Sequence, residues 1–262
     1  LRESLPPANY KISGTGTNTT VKIADTAVLP PSGLDITTSG DSNTLLIGKN
    51  TDIRGMSMQF YGSGNKVIIE RGARIKGVFI CKGDNNTIHI GHHVEFVGAF
   101  VQAEYNTEIV VGAWGIYSTG LVIRSGDSHS VVDIKSLKRI NQPKSIHIAD
   151  RVWAGYNVSI MKGVEIQHDT IIGASSVVTK SPGEGRCIIA GTPAKVVKRG
   201  VFWEKRSLGD NVAESFWDAS LKFRDIDRAV YMNDIREPAQ RDWKTVALWG
   251  AVIISLALHL LR

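Results

Sequence analysis

From Ile148 onward one apolar residue returns every six positions: Ile148, Ala154, Ile160, Ile166, Ile172 and Val178. Four residues after each of the first five stands Val152, Val158, Val164, Thr170 or Ser176. Gly or Ala often follows the repeated residue, as in Ile148-Ala149, Ala154-Gly155 and Ile172-Gly173. This period fits neither an amphipathic helix, at roughly 3.6, nor an alternating strand, at about 2. It fits a short strand followed by a bend. Three such units close a triangular coil with the repeated apolar residue inside. Stacked coils then bury a continuous column and pair their interior strands in parallel.

The pattern extends towards the N-terminus with insertions. Ile69, Ile75 and Cys81 form one inward set, Ile90, Phe96 and Gln102 the next, and Val111, Tyr117 and Ile123 a third. The sets begin 21 residues apart, which leaves three residues per coil beyond three hexads. Turn-forming clusters at Gly83-Asp84-Asn85-Asn86 and Glu104-Tyr105-Asn106 are expected to hold the extras. Ile47 and Ile53 suggest an earlier coil, and Ile23 a fainter one. Cys81 falls on an inward position, where a thiol acts as a small buried hydrophobe. Between Ile123 and Ile146 the repeat is broken. The segment 124–145 is expected to be a loop thrown out from the coil, and loops on a rigid scaffold are where function is commonly placed.

Past Arg199 the period changes. Asn211 followed by Glu214 is a helix-start signal, and Phe216, Trp217, Leu221, Phe223, Ile226 and Val230 supply apolar faces, with Pro238 as a stop. The run from Thr245 to Leu261 is apolar all round, interrupted by Gly250, Ser255 and His259. Such a helix must be deeply buried or in lipid, and Trp243, Lys244 and Arg262 would suit interfacial ends. A membrane attachment through 245–261 competes with a bundle of such tails.

Composition adds exclusions. A net charge of +6 favours anionic ligands or a membrane surface, but it is too diffuse to argue for nucleic acid. No aromatic and basic residues interleave in the manner of RNA-binding modules. The two cysteines, Cys81 and Cys187, form no C-x-x-C pair, so zinc knuckles and thioredoxin-like motifs are not expected, and reduced thiols are. The opening Leu-Arg-Glu-Ser has no apolar signal core. A cytoplasmic placement is expected, with the inner face of a bacterial membrane as its limit.

Three stretches carry a family likeness. Asp127-Ser128-His129-Ser130 is followed by Arg139-Ile140-Asn141 and then by Ile146-His147-Ile148-Ala149-Asp150-Arg151-Val152-Trp153-Ala154-Gly155. The end of the repeat reads Ile172-Gly173-Ala174-Ser175-Ser176-Val177-Val178-Thr179-Lys180, then Ala190-Gly191-Thr192-Pro193-Ala194-Lys195-Val196. Over roughly residues 120 to 199 the chain resembles the hexapeptide-repeat acyltransferases, most of all those that O-acetylate bacterial surface polysaccharides.

The resemblance implies an all-β solenoid, a left-handed parallel β-helix over 1–200, whose loop 124–145 carries the catalytic histidine. A helical extension over 201–240 and an apolar helix over 241–262 would follow. It also implies acetyl-CoA as co-substrate, no metal, a saccharide acceptor, and a homotrimer with sites between subunits. His129 would be the general base for an acceptor hydroxyl, the chemistry for which an imidazole near neutral pKa is suited. Asp127 would fix the imidazole, bind the acceptor or make an Asx-turn, and these stay open. Ser128 and Ser130 read as turn formers. Trp153, by likeness, lines the transfer site, where its indole N–H is one fixed donor; packing between wall and loop is the plainer role. Ala154, Gly155 and Ala174 are candidates for pantetheine contacts along a coil edge. Lys180, Lys195, Lys198 and Arg199 are candidates for the phosphates, with a solvated basic rim as the alternative. Thr179 and Pro193 are carried over by resemblance alone.

Two rival classes share the fold. A carbonic-anhydrase-like solenoid would hold zinc through histidines, and His89, His92, His93, His129, His147 and His168 are the candidates. His89 and His147, however, alternate with inward isoleucines and so point outward. A solenoid without catalysis is the other rival; CoA binding would exclude it.

Overall fold

The computed structural model describes residues 9–205. They form twenty strands, from β1 (Tyr10–Gly14) to β20 (Ala194–Arg199), wound into a parallel solenoid. The compact unit ends at Trp203, a little past the expected boundary at 200. Val201–Lys205 are not helical. The rest of the expected extension to 240 and the apolar run over 241–262 lie outside the described residues.

One face is a continuous parallel sheet of seven strands: β2 (Thr20–Ile23), β4 (Thr44–Ile47), β6 (Lys66–Ile69), β8 (Thr87–Ile90), β10 (Glu108–Val111), β13 (Ile146–Ile148) and β16 (Glu165–Ile166). Pairing sets Ile47, Ile69, Ile90, Val111, Ile148 and Ile166 in one column. All six are buried. His89 and His147 alternate with this column and point outward as expected, bonded at 2.8 Å to Glu70 and at 2.7 Å to Glu108.

The regular hexads fold as read. Ile148, Ala154, Ile160, Ile166, Ile172 and Val178 are inward, and Val152, Val158, Val164, Thr170 and Ser176 are buried at the corners. Upper coils repeat after 18 residues and middle coils after 21 or 22. A following Gly is a matter of space where coils approach. A Cβ on Gly112 would lie 2.6 Å from backbone atoms of Ala149 and Asp150.

The middle coils depart from the simple hexad. β5 (Asp52–Tyr61), β7 (Arg74–Lys82) and β9 (Glu95–Glu104) each run through the second corner as one bent strand, with register shifts in their pairing. The extra residue moves the inward positions. Val101 pairs with Phe79 and Ile123 and is buried in the core, whereas Gln102 pairs with Arg124 and points out of the coil, buried under the loop at Ser128. Gln102 is therefore not an inward residue. Cys81 is inward, beside Ala103, and burial pushes its thiol pKa up.

The corner before the seven-stranded face carries a polar ladder. Asn65 N–H donates to Asn43 Oδ1 at 3.0 Å, Asn86 N–H to Asn65 Oδ1 at 2.9 Å, and Thr107 N–H to Asn86 Oδ1 at 3.3 Å. The side chains are buried, so each amide satisfies a turn that water cannot reach.

Tyr117 departs from this economy. Its ring packs edge-on to Phe96 at 5.0 Å, and its buried hydroxyl has no hydrogen-bond partner among the described residues. Burial, with a smaller push from the Asp150 charge, raises the phenol pKa. Tyr117→Phe is expected to raise unfolding free energy by about 1–3 kcal/mol, the usual cost of an orphaned buried polar group. A lowered midpoint in urea would mean that the hydroxyl has a partner.

Candidate active site

The loop leaves β12 (Leu121–Arg124) and returns into β13, so it stands at the corner where the polar ladder runs. Ser125, fully buried, ties its two ends. The Ser125 carbonyl accepts the Lys144 N–H at 2.8 Å, and the hydroxyl lies 2.6 Å from that of Thr107. On the return, Ser145 Oγ accepts the Glu108 N–H at 3.1 Å. Farther out, Val132 and Arg139 bridge in antiparallel fashion. Between them the Asp133 carboxylate accepts the N–H and hydroxyl of Ser136, both at 2.7 Å, and these bonds hold its pKa below the usual range.

Asp127-Ser128-His129 sits near the root of the loop. Ser128 has a left-handed φ of 62°. Its N–H reaches the two Glu104 oxygens at 3.1 and 3.0 Å, and its carbonyl accepts Lys82 Nζ at 3.2 Å. Its hydroxyl donates to Glu104 at 3.0 Å and accepts from Gln102 at 2.9 Å and Arg124 at 2.7 Å. Gln102 donates to Glu104 as well, and Arg124 pairs with the same oxygen at 3.5 Å. The Glu104 side chain is 0% exposed. It is the last residue of β9 rather than part of the turn cluster read from the sequence.

His129 is exposed, and its imidazole makes no hydrogen bond among the described residues. Its carbonyl is held by Asn141 Nδ2 at 2.8 Å. Asn141 also accepts the Val131 N–H at 2.7 Å and Arg139 Nε at 3.2 Å. Both hydrogen bonds to the Asp127 carboxylate come from Lys162 and Asn141, and none from the imidazole or from an Asx-turn N–H. The Lys162 bond foremost holds the Asp127 carboxyl below its ordinary pKa; burial opposes it, and the Asn141 bond and the Lys162 charge add to the lowering. Asp127 is thus a clip between loop and wall.

Trp153 begins β14 (Trp153–Ala154) on another face, paired with Ile116 and Ile171. Within the coil the whole of β13 separates it from the corner that bears His129, so one chain does not bring the two together. The residue is 41% exposed, and its ring lies 6.1 Å from the ring of Trp203. The Trp203 indole donates to the Arg151 carbonyl at 2.7 Å, and Arg151 pairs with Asp169 at 2.5 Å. Burial would raise the Asp169 carboxyl pKa, but the His168 bond and the Arg151 charge outweigh it and hold it low.

The expected donor-side residues divide. The Ala154 side chain is inward, its carbonyl accepts the Ser118 N–H, and the Gly155 N–H is given to Ile172, so coil stacking already uses these groups. Ala174, Thr179 and Lys180 are exposed at coil edges. Pro193 is at the tip of the antiparallel hairpin of β19 (Cys187–Gly191) and β20. Lys195 and Lys198 are exposed on β20. Arg199 is exposed at the end of β20 and is paired with Glu184 through contacts of 2.9 to 3.1 Å.

Sequence reading passed over Glu104, Lys162, Arg124 and Trp203. None lies in a recognisable local motif. Glu104, Lys162 and Trp203 meet the site through a neighbouring coil or after the solenoid has closed, and Arg124 stands at the end of β12, four residues before Ser128.

No family model matches the chain. A polysialic acid O-acetyltransferase of Escherichia coli O1:K1 / APEC is 34% identical over 106 residues, which is 40% of this chain and 34% of that protein. Thus the chain matches only about a third of the length of that relative. A polysialic acid O-acetyltransferase of Neisseria meningitidis is 28% identical over 197 residues, 75% of this chain and 91% of that protein. Among solved structures, the polysialic acid O-acetyltransferase OatWY superposes with a TM-score of 0.72 at 26% identity, covering 77% of this chain and 95% of its own. The polySia-specific acetyltransferase NeuO gives 0.67 at 25%, covering 82% and 99%. With the inward hexads, the looped-out histidine and these likenesses in agreement, the chain is similar in sequence and in fold to the hexapeptide-repeat acyltransferases, which are built on a left-handed parallel β-helix.

Proposed function

We propose that the protein is an O-acetyltransferase that moves an acetyl group from acetyl-CoA to a hydroxyl of a saccharide, a bacterial surface polysaccharide or its precursor. The reading rests above all on His129, a solvent-facing imidazole on a turn whose polar atoms are pinned to the solenoid. Acetyl-CoA supplies the acetyl group as a thioester. His129 takes the proton of the acceptor hydroxyl as that oxygen bonds to the acyl carbon. As the carbon–sulfur bond breaks, the imidazolium gives the proton to the departing thiolate, so His129 ends as it began. Lys180, Lys195 and Lys198 are suited to phosphate oxygens, being exposed cations near the end of the coil.

A homotrimer accounts for two observations. His129 and Trp153 lie on different parts of one coil, and a neighbouring subunit would set one beside the other. Val131, Val132, Ile134, Leu137 and Ile140 are also 51 to 88% exposed on the loop, an apolar cluster of the kind that marks an interaction surface. From sequence alone, the run 245–261 would attach the enzyme to the cytoplasmic face of the membrane. Full-length protein is then expected in the membrane pellet, and light scattering in mild detergent should give three chains per particle. A soluble monomer that keeps activity would overturn both.

His129→Ala should fold normally and keep its affinity for CoA, because the residue is exposed on a loop. Turnover, followed as release of free thiol, should fall by about 10²–10⁴-fold, the usual worth of a general base. Near-normal turnover by the folded variant removes His129 from the chemistry.

The Asp127 clip sets an acid limit. A carboxyl whose pKa is depressed by folding contributes stability above its unfolded value of about 3.9 and loses it as pH falls through the folded value. Proteolysis of loop 124–145 should therefore stay slow from neutral pH to below about 5 and rise only in stronger acid. Asp127→Asn should be cut faster at neutral pH. Equal cutting of the two proteins at pH 7 would show that the clip does not hold the loop.

A further inference from the structure

We propose that Glu104 is the positioning residue of this transfer: its buried carboxylate holds the turn at Ser128 in the shape that presents His129 to the acceptor. The inference rests on the acetyltransferase reading of the same site and adds a residue that contributes no atom to the reaction.

The turn is of an uncommon kind. The His129 N–H donates to the Asp127 carbonyl at 2.7 Å, closing a three-residue ring across Ser128, whose φ is 62°. A three-residue turn about a left-handed residue is the rare and strained form. A side chain other than glycine persists there only where its surroundings over-determine it. All three polar atoms of Ser128 are taken by side chains of the wall, and Glu104 takes two of them, the N–H and the hydroxyl proton.

The groups around Glu104 dictate its chemistry. The Ser128 N–H, the Ser128 hydroxyl, the Gln102 amide and the Arg124 guanidinium all present protons to it. Only a side chain with acceptors and no donor satisfies such a ring, which describes a carboxylate and excludes an amide. Glu104 is itself fixed at the end of β9. Its N–H donates to Ser125 Oγ at 2.8 Å and its carbonyl accepts the Thr107 hydroxyl at 2.9 Å. A fully buried carboxylate is a poor source of stability relative to apolar packing. Here it fixes the conformation of the two residues on which the general base stands.

Glu104→Gln keeps the size and puts a donor among donors. Its kcat should fall by about 10–100-fold, the penalty for misplacing a reacting group by around an ångström, while KM for acetyl-CoA stays as in the wild type. Amide exchange should quicken at Ser128 and His129 and not in the core strands. In a His129→Ala background, Glu104→Gln should cost nothing further. Lys82→Met, which releases only the Ser128 carbonyl from the half-exposed rim, should act in the same direction and more weakly, and it guards against a Glu104 variant that does not fold. The inference is overturned if exchange at Ser128 and His129 is unchanged in both variants, or if Glu104→Gln lowers the rate by the same factor with and without His129. The exchange measurement needs no turnover. A wild-type protein that transfers no acetyl group therefore overturns the proposed function, and the exchange at Ser128 still decides whether Glu104 holds the turn.

Discussion

A chain that bends three times in every coil buries backbone at each bend, and a buried N–H or carbonyl must be paired. The strands meet this demand by pairing above and below. The corners meet it only in part by backbone pairing between coils, and the rest of the structure depends on how their remaining groups are satisfied. At the corner before the seven-stranded face the solution is a column of side chains, Asn43, Asn65 and Asn86, each accepting the N–H of the next coil. Thr107 and Ser125 extend the column to the level at which the loop departs. The loop is thereby rooted in the same hydrogen-bonded stack that closes the coils beneath it. A residue on its first turns inherits the rigidity of the wall, while the tip around Ile134 and Leu137 stands in solvent.

The chemistry of the candidate site follows from that rooting. A histidine on an ordinary surface loop samples many orientations, and ordering it during reaction would cost conformational entropy. Here Asn141 holds the His129 carbonyl, Lys162 and Asn141 hold Asp127, and Glu104 with Lys82 holds Ser128. Among the described residues the imidazole has no hydrogen-bond partner, the condition in which it can meet an acceptor hydroxyl.

Where the hexads are uninterrupted, each residue faces as its position in the repeat dictates, because strand and corner both have fixed length; Ile160 and Val178 are as buried as Ile148. The reading failed at Gln102 because a bent strand replaces a corner in the middle coils and shifts the side chains by one position. No local signal marks that replacement, since Gly77 and Gly98 also suit an ordinary corner. His129 was legible through its motif. Glu104 was not: it stands among turn-forming residues, and its buried role exists only once Ser128 has folded down on it from the coil above. Asp127 stood out in the sequence as a candidate, but its partner Lys162 lies 35 positions away and arrives with the next coil.

The hairpin that follows the last coil also closes one of its edges. A parallel solenoid finishes on a raw strand edge, able in principle to accept another strand or another molecule. β20 folds back antiparallel on β19, and among the described residues it is the outermost strand of its sheet. Its exposed positions carry Lys195, Lys198 and Arg199. A copy approaching this edge meets Lys195 and Lys198, with Arg199 paired to Glu184, on a strand running the wrong way for continued stacking. That face is therefore closed to a further parallel strand, and the lysines beside the closed edge are the same ones proposed to receive the phosphates.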